Sequence, residues 1–308
     1  MQTTVQPLPQ SVRRLDYAKY VVVPIWYYCN SKCTFCMVEK QIGTLPKVDF
    51  ASFQKVVTSI VEGGQHENLI LSGAEVTLFD QLENYLRFAR SFGWFKRIQI
   101  QTNGRKLADP AFLSRLIDAG LDEFFISMHG TEATHDLVTE APGGWRETMR
   151  GIENLAAHPH INLVTNTVLT KQNFANLPDL FRMLRTLPVS EMHMWNFFPM
   201  AGTDTRDLLV PMKDFYALLP EILAIVEPMD RPLVFKGFPQ CLSLGAPGIF
   251  DNNFPLNLID MSFWENFDEN QFGKCAYKAE CKAKTCFGLS EAYVKKHGEE
   301  RDLLCPMK

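Results

Sequence analysis

Between Tyr20 and Glu227 the chain alternates short apolar runs of strand character with longer amphipathic runs of helical character, and this alternation restricts the fold more than any other feature. Each strand must be returned parallel to the last by a crossover, and the intervening stretches are long enough for right-handed units. The strand-like segments are Tyr20–Trp26, Asn68–Ser72, Arg97–Gln101, Glu123–Ser127, Asn162–Leu169 and Glu191–Asn196. Several are rich in Ile, Val and Phe, as burial on both faces demands. Helical character follows at Asp49–Glu62 before the Gly63-Gly64 stop, Phe79–Ser91, Asp109–Ala119 closed by Gly120, Trp145–Ala157, Leu177–Thr186 and Lys213–Val226.

Six such units make either a barrel two repeats short of the closed eight-fold form or an open doubly wound sheet. The expectation taken forward is an α/β fold built as a partial (β/α)6 TIM-like barrel, open on one side. From Arg231 the rhythm stops, and the stretch to Gln271 is dense in Pro, Gly, Asn and aromatic residues. A boundary is therefore expected near 230, dividing a lead-in (1–19), a core barrel (20–230) and an irregular cysteine-rich extension (231–308) that caps the barrel mouth.

With 308 residues, 46% hydrophobic and 21% charged, the chain has enough apolar material for one or two globular cores. A net charge of −4 with scattered lysines and arginines offers no field for phosphates, so nucleic acid is not expected as a partner. No apolar run approaches the roughly 18–20 residues needed to cross a bilayer, and the first residues lack the apolar core of a secretory signal. No membrane partner is expected, and the expected location is the cytoplasm. Eight cysteines in a reducing compartment point to metal ligation or catalysis rather than disulfides.

Three of them stand in Cys29-Asn-Ser-Lys-Cys33-Thr-Phe-Cys36, directly after the first strand. A closed zinc site asks for four ligands, and no fourth Cys or His lies nearby. Three thiolates suit a four-iron cubane that keeps one iron open to an external molecule. This C-x3-C-x2-C spacing after the first strand, with Phe35 just before the last cysteine, resembles the radical SAM superfamily. The resemblance implies a [4Fe-4S] cluster on Cys29, Cys33 and Cys36 whose open iron chelates S-adenosylmethionine (SAM). It further implies reductive cleavage to a 5′-deoxyadenosyl radical that abstracts a substrate hydrogen.

Further phrases fall at the carboxyl ends of successive strands, where barrel enzymes build their sites. Ser72-Gly73-Ala74-Glu75 is similar to the family's Gly-Gly-Glu stretch, with Ala74 in place of the second glycine. If that position requires a positive φ, alanine is strained there. Thr102-Asn103-Gly104 and Ser127-Met128-His129-Gly130 resemble phrases at the same places in family members, and Asn166 resembles a family asparagine near SAM. The resemblance thus implies cofactor contacts for Phe35, Gly73, Ala74, Glu75, Thr102, Asn103, Ser127 and Asn166. His129 is read as structural rather than as a metal ligand, and the aromatic stretch Trp195–Phe198 is left without a role.

The remaining cysteines are Cys241, Cys275, Cys281, Cys286 and Cys305, with lysines interleaved. The phrase KCAYKAECKAKTCFG resembles the C-terminal extension of radical SAM maturases of the SPASM or Twitch type, which carries auxiliary clusters. The resemblance implies a second [4Fe-4S] cluster on Cys241, Cys275, Cys281 and Cys286, with Cys305 as a substitute; a structural zinc is the alternative. The expected substrate is a peptide or small metabolite, and the expected electron donor is a flavodoxin or ferredoxin. The short lead-in argues against a separate peptide-recognition domain ahead of the first strand. A rival reading is a non-catalytic iron–sulfur carrier or a zinc-stabilised binding protein.

Overall fold

The computed structural model describes residues 15–243 and 249–308; most of the lead-in, residues 1–14, lies outside the described residues. All six expected strands form, as β1 (Tyr20–Trp26), β2 (Asn68–Gly73), β3 (Arg97–Thr102), β4 (Glu123–Ser127), β5 (Asn162–Leu169) and β6 (Glu191–Asn196). They pair in parallel and in chain order. Two further strands join the same sheet, β7 (Leu233–Lys236) beside β6 and β8 (Leu256–Asn257) beside β1. The resulting order is β7-β6-β5-β4-β3-β2-β1-β8, a curled sheet with two free edges, which is the partial barrel expected from the rhythm.

The added edge strands come from the stretch where the rhythm was expected to stop. They are four and two residues long, too short to leave a periodic signal.

Crossover helices α1 (Phe50–Gly63), α2 (Leu82–Ser91), α3 (Pro110–Asp118), α5 (Gly144–Leu155), α6 (Leu177–Leu184) and α7 (Met212–Val226) lie where the sequence predicts them. Local chemistry sets their ends. Asp49 caps α1 by accepting from Ser52 N at 2.9 Å, and Gly64 stops it in the left-handed conformation at φ 66°. Asp109 caps α3 ahead of Pro110 in the first turn, the position where a missing N–H costs nothing. Three short helices were not foreseen: α4 (Glu132–Thr139), α8 (Met261–Asp268) and α9 (Glu291–His297).

The strands separate two environments. Val21, Val23, Ile25, Leu69, Leu71, Ile98, Ile100, Phe124 and Ile126 belong to the large core shared with the helices. Tyr17, Tyr20, Val22 and Ile70 form a smaller cluster on the opposite side. Deep on that side Glu123 accepts from Tyr20 Oη at 2.9 Å, Gln99 Nε2 at 2.7 Å and Asn162 Nδ2 at 2.6 Å, tying β1, β3, β4 and β5 together. Nearby, His193 Nε2 and Glu191 Oε1 share a hydrogen bond of 2.6 Å. Polar groups buried here are tolerated because they satisfy each other.

The C-terminal segment packs on the loop that follows β6. Tyr293 Oη accepts from Met212 N, Lys296 Nζ reaches Asp204 Oδ2 at 2.6 Å, and Phe198 stands edge-on to Phe272 at 4.8 Å. The cysteine-rich stretch therefore sits against the carboxyl-end side of the sheet.

Glu123→Ala leaves two buried donors and one half-buried donor without an acceptor and is expected to cost about 3 kcal/mol. Urea unfolding of the variant checks this; a loss under about 1 kcal/mol means the polar knot does not hold the strands.

Candidate active site

The loop after β1 carries Cys29, Cys33 and Cys36 and is held by backbone bonds from three directions. Lys32 N and Thr34 N donate to the carbonyls of Thr139 and Val138 at the end of α4, each at 3.0 Å. Glu75 N donates to Tyr28 O at 2.9 Å, Ala74 N donates to Trp26 O at 2.8 Å, and Cys36 N closes a turn onto Cys33 O at 3.1 Å. Asn103 Nδ2 donates to Asn30 Oδ1 at 2.7 Å, and the Arg105 guanidinium donates to Asn30 O. The turns after β1, β2 and β3 are thereby fastened to one another.

Glu75 is the knot. It is buried at 1% exposure, and its carboxylate accepts from Thr77 N, Thr77 Oγ1, Thr102 Oγ1 and Asn103 N at 2.6–3.1 Å. Burial raises its pKa, while the donors from Thr102, Thr77 and Asn103 act against that rise. These donors occupy both carboxylate oxygens, so Glu75 acts chiefly by shaping the turns around it.

Gly73 must be glycine. Its φ is 134°, and a Cβ there would lie 2.0 Å from Trp26 O. Ala74 is not among the residues with positive φ, so its replacement of a glycine carries no such strain. The doubt attached to SGAE thus falls on the wrong residue: the special backbone belongs to Gly73.

The thiols sit in a setting that raises their pKa values. Burial raises Cys29, against the Ser31 backbone N–H; Glu75 raises it further, and Asn30 and Arg105 lower it. Burial, then charge on Cys36 and Cys29, pushes Cys33 well up, and burial pushes Cys36 up to about 11. A cation bound by these thiols relieves that repulsion. Among the described residues no three His, Cys, Asp or Glu groups converge tightly enough to hold a single metal ion. A cubane differs in taking its thiolates on different iron atoms.

Around this loop the other predicted residues are distributed as follows. Phe35 packs edge-on against His129 at 4.5 Å, on one wall of an open cavity of about 190 Å³ whose other wall carries Phe197, Phe198 and Pro199. Ser127 and Asn166 stand side by side in register on β4 and β5, and Asn166 Oδ1 is buried with no hydrogen-bond partner. Such an orphaned buried acceptor invites a ligand donor. Thr102 and Asn103 serve Glu75 directly.

His129 is buried at 1% exposure; its Nδ1 accepts from Val168 N at 3.2 Å, and burial depresses its pKa. That bond ties the turn after β4 to β5. His135 on α4, unremarked in the sequence, accepts from His129 N at 3.2 Å and stacks on its ring at 5.9 Å. Arg105 also escaped notice, because nothing in its spacing announces a tie to Asn30.

Around Cys241 stand three other C-terminal cysteines, Cys305, Cys286 and Cys275. Burial pushes Cys241 up to about 11, the Cys305 N–H opposes this, and charge on Cys305, Cys286 and Cys275 raises it further. Cys305 therefore stands beside Cys241. Cys281 Sγ accepts from Met307 N at 3.3 Å, and Cys286 Sγ accepts from Gln240 N at 3.5 Å and Gly288 N at 3.4 Å.

A family model described as the radical SAM superfamily matches residues 23–184, just over half of the chain. The chain belongs to the radical SAM superfamily. That membership implies SAM and a [4Fe-4S] cluster. Over 200 residues it is 25% identical to the tungsten-containing aldehyde ferredoxin oxidoreductase cofactor-modifying protein of Pyrococcus furiosus, covering 62% of this chain and 55% of that one. It is 27% identical to the AdoMet-dependent heme synthase of Methanosarcina barkeri, covering 59% of this chain and 52% of the relative. The chain thus spans about half the length of these relatives.

Among solved structures, Streptococcus suis SuiB bound to its precursor peptide SuiA superposes with a TM-score of 0.56 at 15% identity. That match covers 82% of this chain and 54% of SuiB, and it supports the fold. Among the described residues of this radical SAM superfamily member, no helix is long and apolar enough to cross a membrane.

Gly73→Ala is expected to cost about 3 kcal/mol and to displace the thiol loop, whereas Ala74→Gly costs under about 1 kcal/mol. Thermal unfolding of the pair checks this, and equal costs contradict the assignment of the strained backbone to Gly73.

His135 supplies a pH test. Burial lowers its pKa from the ordinary 6.5 to about 4, against the opposing pull of Asp136. The unfolded chain binds the proton more tightly, so this contribution to stability is complete above pH 6.5 and is lost as pH falls toward 4, by about 3 kcal/mol. Denaturant titrations across that interval should show the loss in the parent and a shallower slope in His135→Gln; parallel slopes refute it.

Proposed function

We propose that Cys29, Cys33 and Cys36 hold the [4Fe-4S] cluster and that SAM lies against the turns after β2, β3, β4 and β5. The observation that carries this reading is the fastening of the thiol loop to the Glu75 and Asn103 turns. When loaded, the cluster supplies the electron for reductive cleavage of SAM, yielding methionine and a 5′-deoxyadenosyl radical that takes hydrogen from carbon.

The chain's own residues position and shield. Gly73 lets the backbone close onto Trp26, and Ala74 follows it without strain, so that the turn approaches the amino group of SAM. Glu75, Thr102 and Asn103 fix that turn relative to the loop. Asn166 offers its unpartnered Oδ1, and neighbouring Ser127 its hydroxyl, to the SAM ribose or carboxylate. Phe35, packed on the uncharged His129 ring, forms an apolar wall that excludes water.

For the stretch after 231 we propose an auxiliary [4Fe-4S] cluster of the SPASM or Twitch kind, with zinc as the competing occupant. The ligand set read from sequence is Cys241, Cys275, Cys281 and Cys286; the nearness of Cys305 to Cys241 supports exchanging Cys305 for Cys281. The substrate is proposed to be a peptide or small metabolite and the reductant a flavodoxin or ferredoxin, in the cytoplasm.

Anaerobically reconstituted protein given SAM and dithionite is expected to release 5′-deoxyadenosine, with about eight irons per chain for two cubanes or about four plus one zinc for the alternative. Cys29→Ala should abolish release while Cys281→Ala retains a substantial part; equal loss in both overturns the division of labour.

A further inference from the structure

Arg105 occupies a place that neither the cofactor nor the fold explains by itself. It follows Thr102-Asn103-Gly104 at the end of β3, and its side chain is 18% exposed. One arm of the guanidinium donates to the carbonyl of Asn30, the residue next to Cys29, and Nε pairs with Glu147 Oε2 on α5. Its backbone N–H donates to Asn103 Oδ1 at 3.1 Å, while Asn103 Nδ2 holds Asn30 Oδ1 at 2.7 Å. The charge is thus fixed beside the first thiol by two anchors, one on each side of the same turn. Arg206, the corresponding cation near Cys36, is forked onto Glu39 by two bonds of 2.7 Å and is itself 46% exposed, so its charge is less buried than that of Arg105.

We infer that Arg105 sets the reduction potential of the cluster carried by the Cys29 loop. This rests on the ligand role proposed for Cys29, Cys33 and Cys36. Reduction of the cluster adds one electron and therefore one negative charge, and a fixed cation at short range stabilises the reduced form more than the oxidised form. Arg105 is a positioning residue here: it acts through the loop carbonyl and through its field. Glu147 opposes it. Glu147 is 48% exposed, so water screens its charge, and the buried Glu75 also opposes the cation at Cys29; removing Arg105 leaves both carboxylates unopposed there.

The two partners therefore carry opposite signs, which no purely structural role reproduces. The test is an EPR-monitored redox titration of the reconstituted full chain, following the reduced-cluster signal that changes on adding SAM. Arg105→Met should lower the midpoint, Glu147→Gln should raise it by a smaller amount, and Arg105→Lys should leave it near the parent value. An unmoved midpoint in Arg105→Met, or shifts of one sign in Arg105→Met and Glu147→Gln, overturns the inference. Should Arg105→Met fail to take up a cluster, Glu147→Gln alone decides, by rising or not. A parent protein without any SAM-responsive signal overturns the ligand assignment itself, whereas a normal signal with an indifferent midpoint overturns only the role of Arg105.

Discussion

One buried carboxylate organises the functional end of this molecule. Glu75 gathers the side chain of Thr102, the backbone of Asn103 and both groups of Thr77, and its own N–H reaches back to Tyr28 beside the thiol loop. Burying a carboxylate is expensive unless every lone pair is answered, and here the answers come from the turns after β2 and β3. The expense is what makes the arrangement specific: the turns that would hold the cofactor cannot move apart without stranding the charge.

The sheet supplies the frame on which this knot is tied. Parallel strands in chain order bring their carboxyl ends to one rim, so residues far apart in sequence meet there as a consequence of topology. At the opposite end the polar knot around Glu123 and the pair of His193 with Glu191 hold the strands from within. Between the two lies a surface on which Ser127 and Asn166 stand in register.

Strands β1 to β6 were legible because each is long enough to carry an apolar pattern, and the three-cysteine loop because its spacing has few other uses. Strands β7 and β8 were not, since two to four residues hold no period. The strain at SGAE was misplaced for a related reason. Sequence tells that a glycine is missing but not which residue meets the Trp26 carbonyl, and that is a fact of close approach in space. Arg105 and His135 were equally hidden, because each depends on contacts between segments whose separation carries no pattern.

The central claim is that three cysteines leave one iron of the cluster open for SAM. Pulsed EPR of the reduced protein with SAM labelled at its amino nitrogen and carboxylate oxygens tests this most directly. The account predicts hyperfine coupling from both labels to the cluster, lost in Cys33→Ala. A well-formed four-iron signal with neither coupling would mean that the fourth iron is capped by the protein, and the account would be wrong.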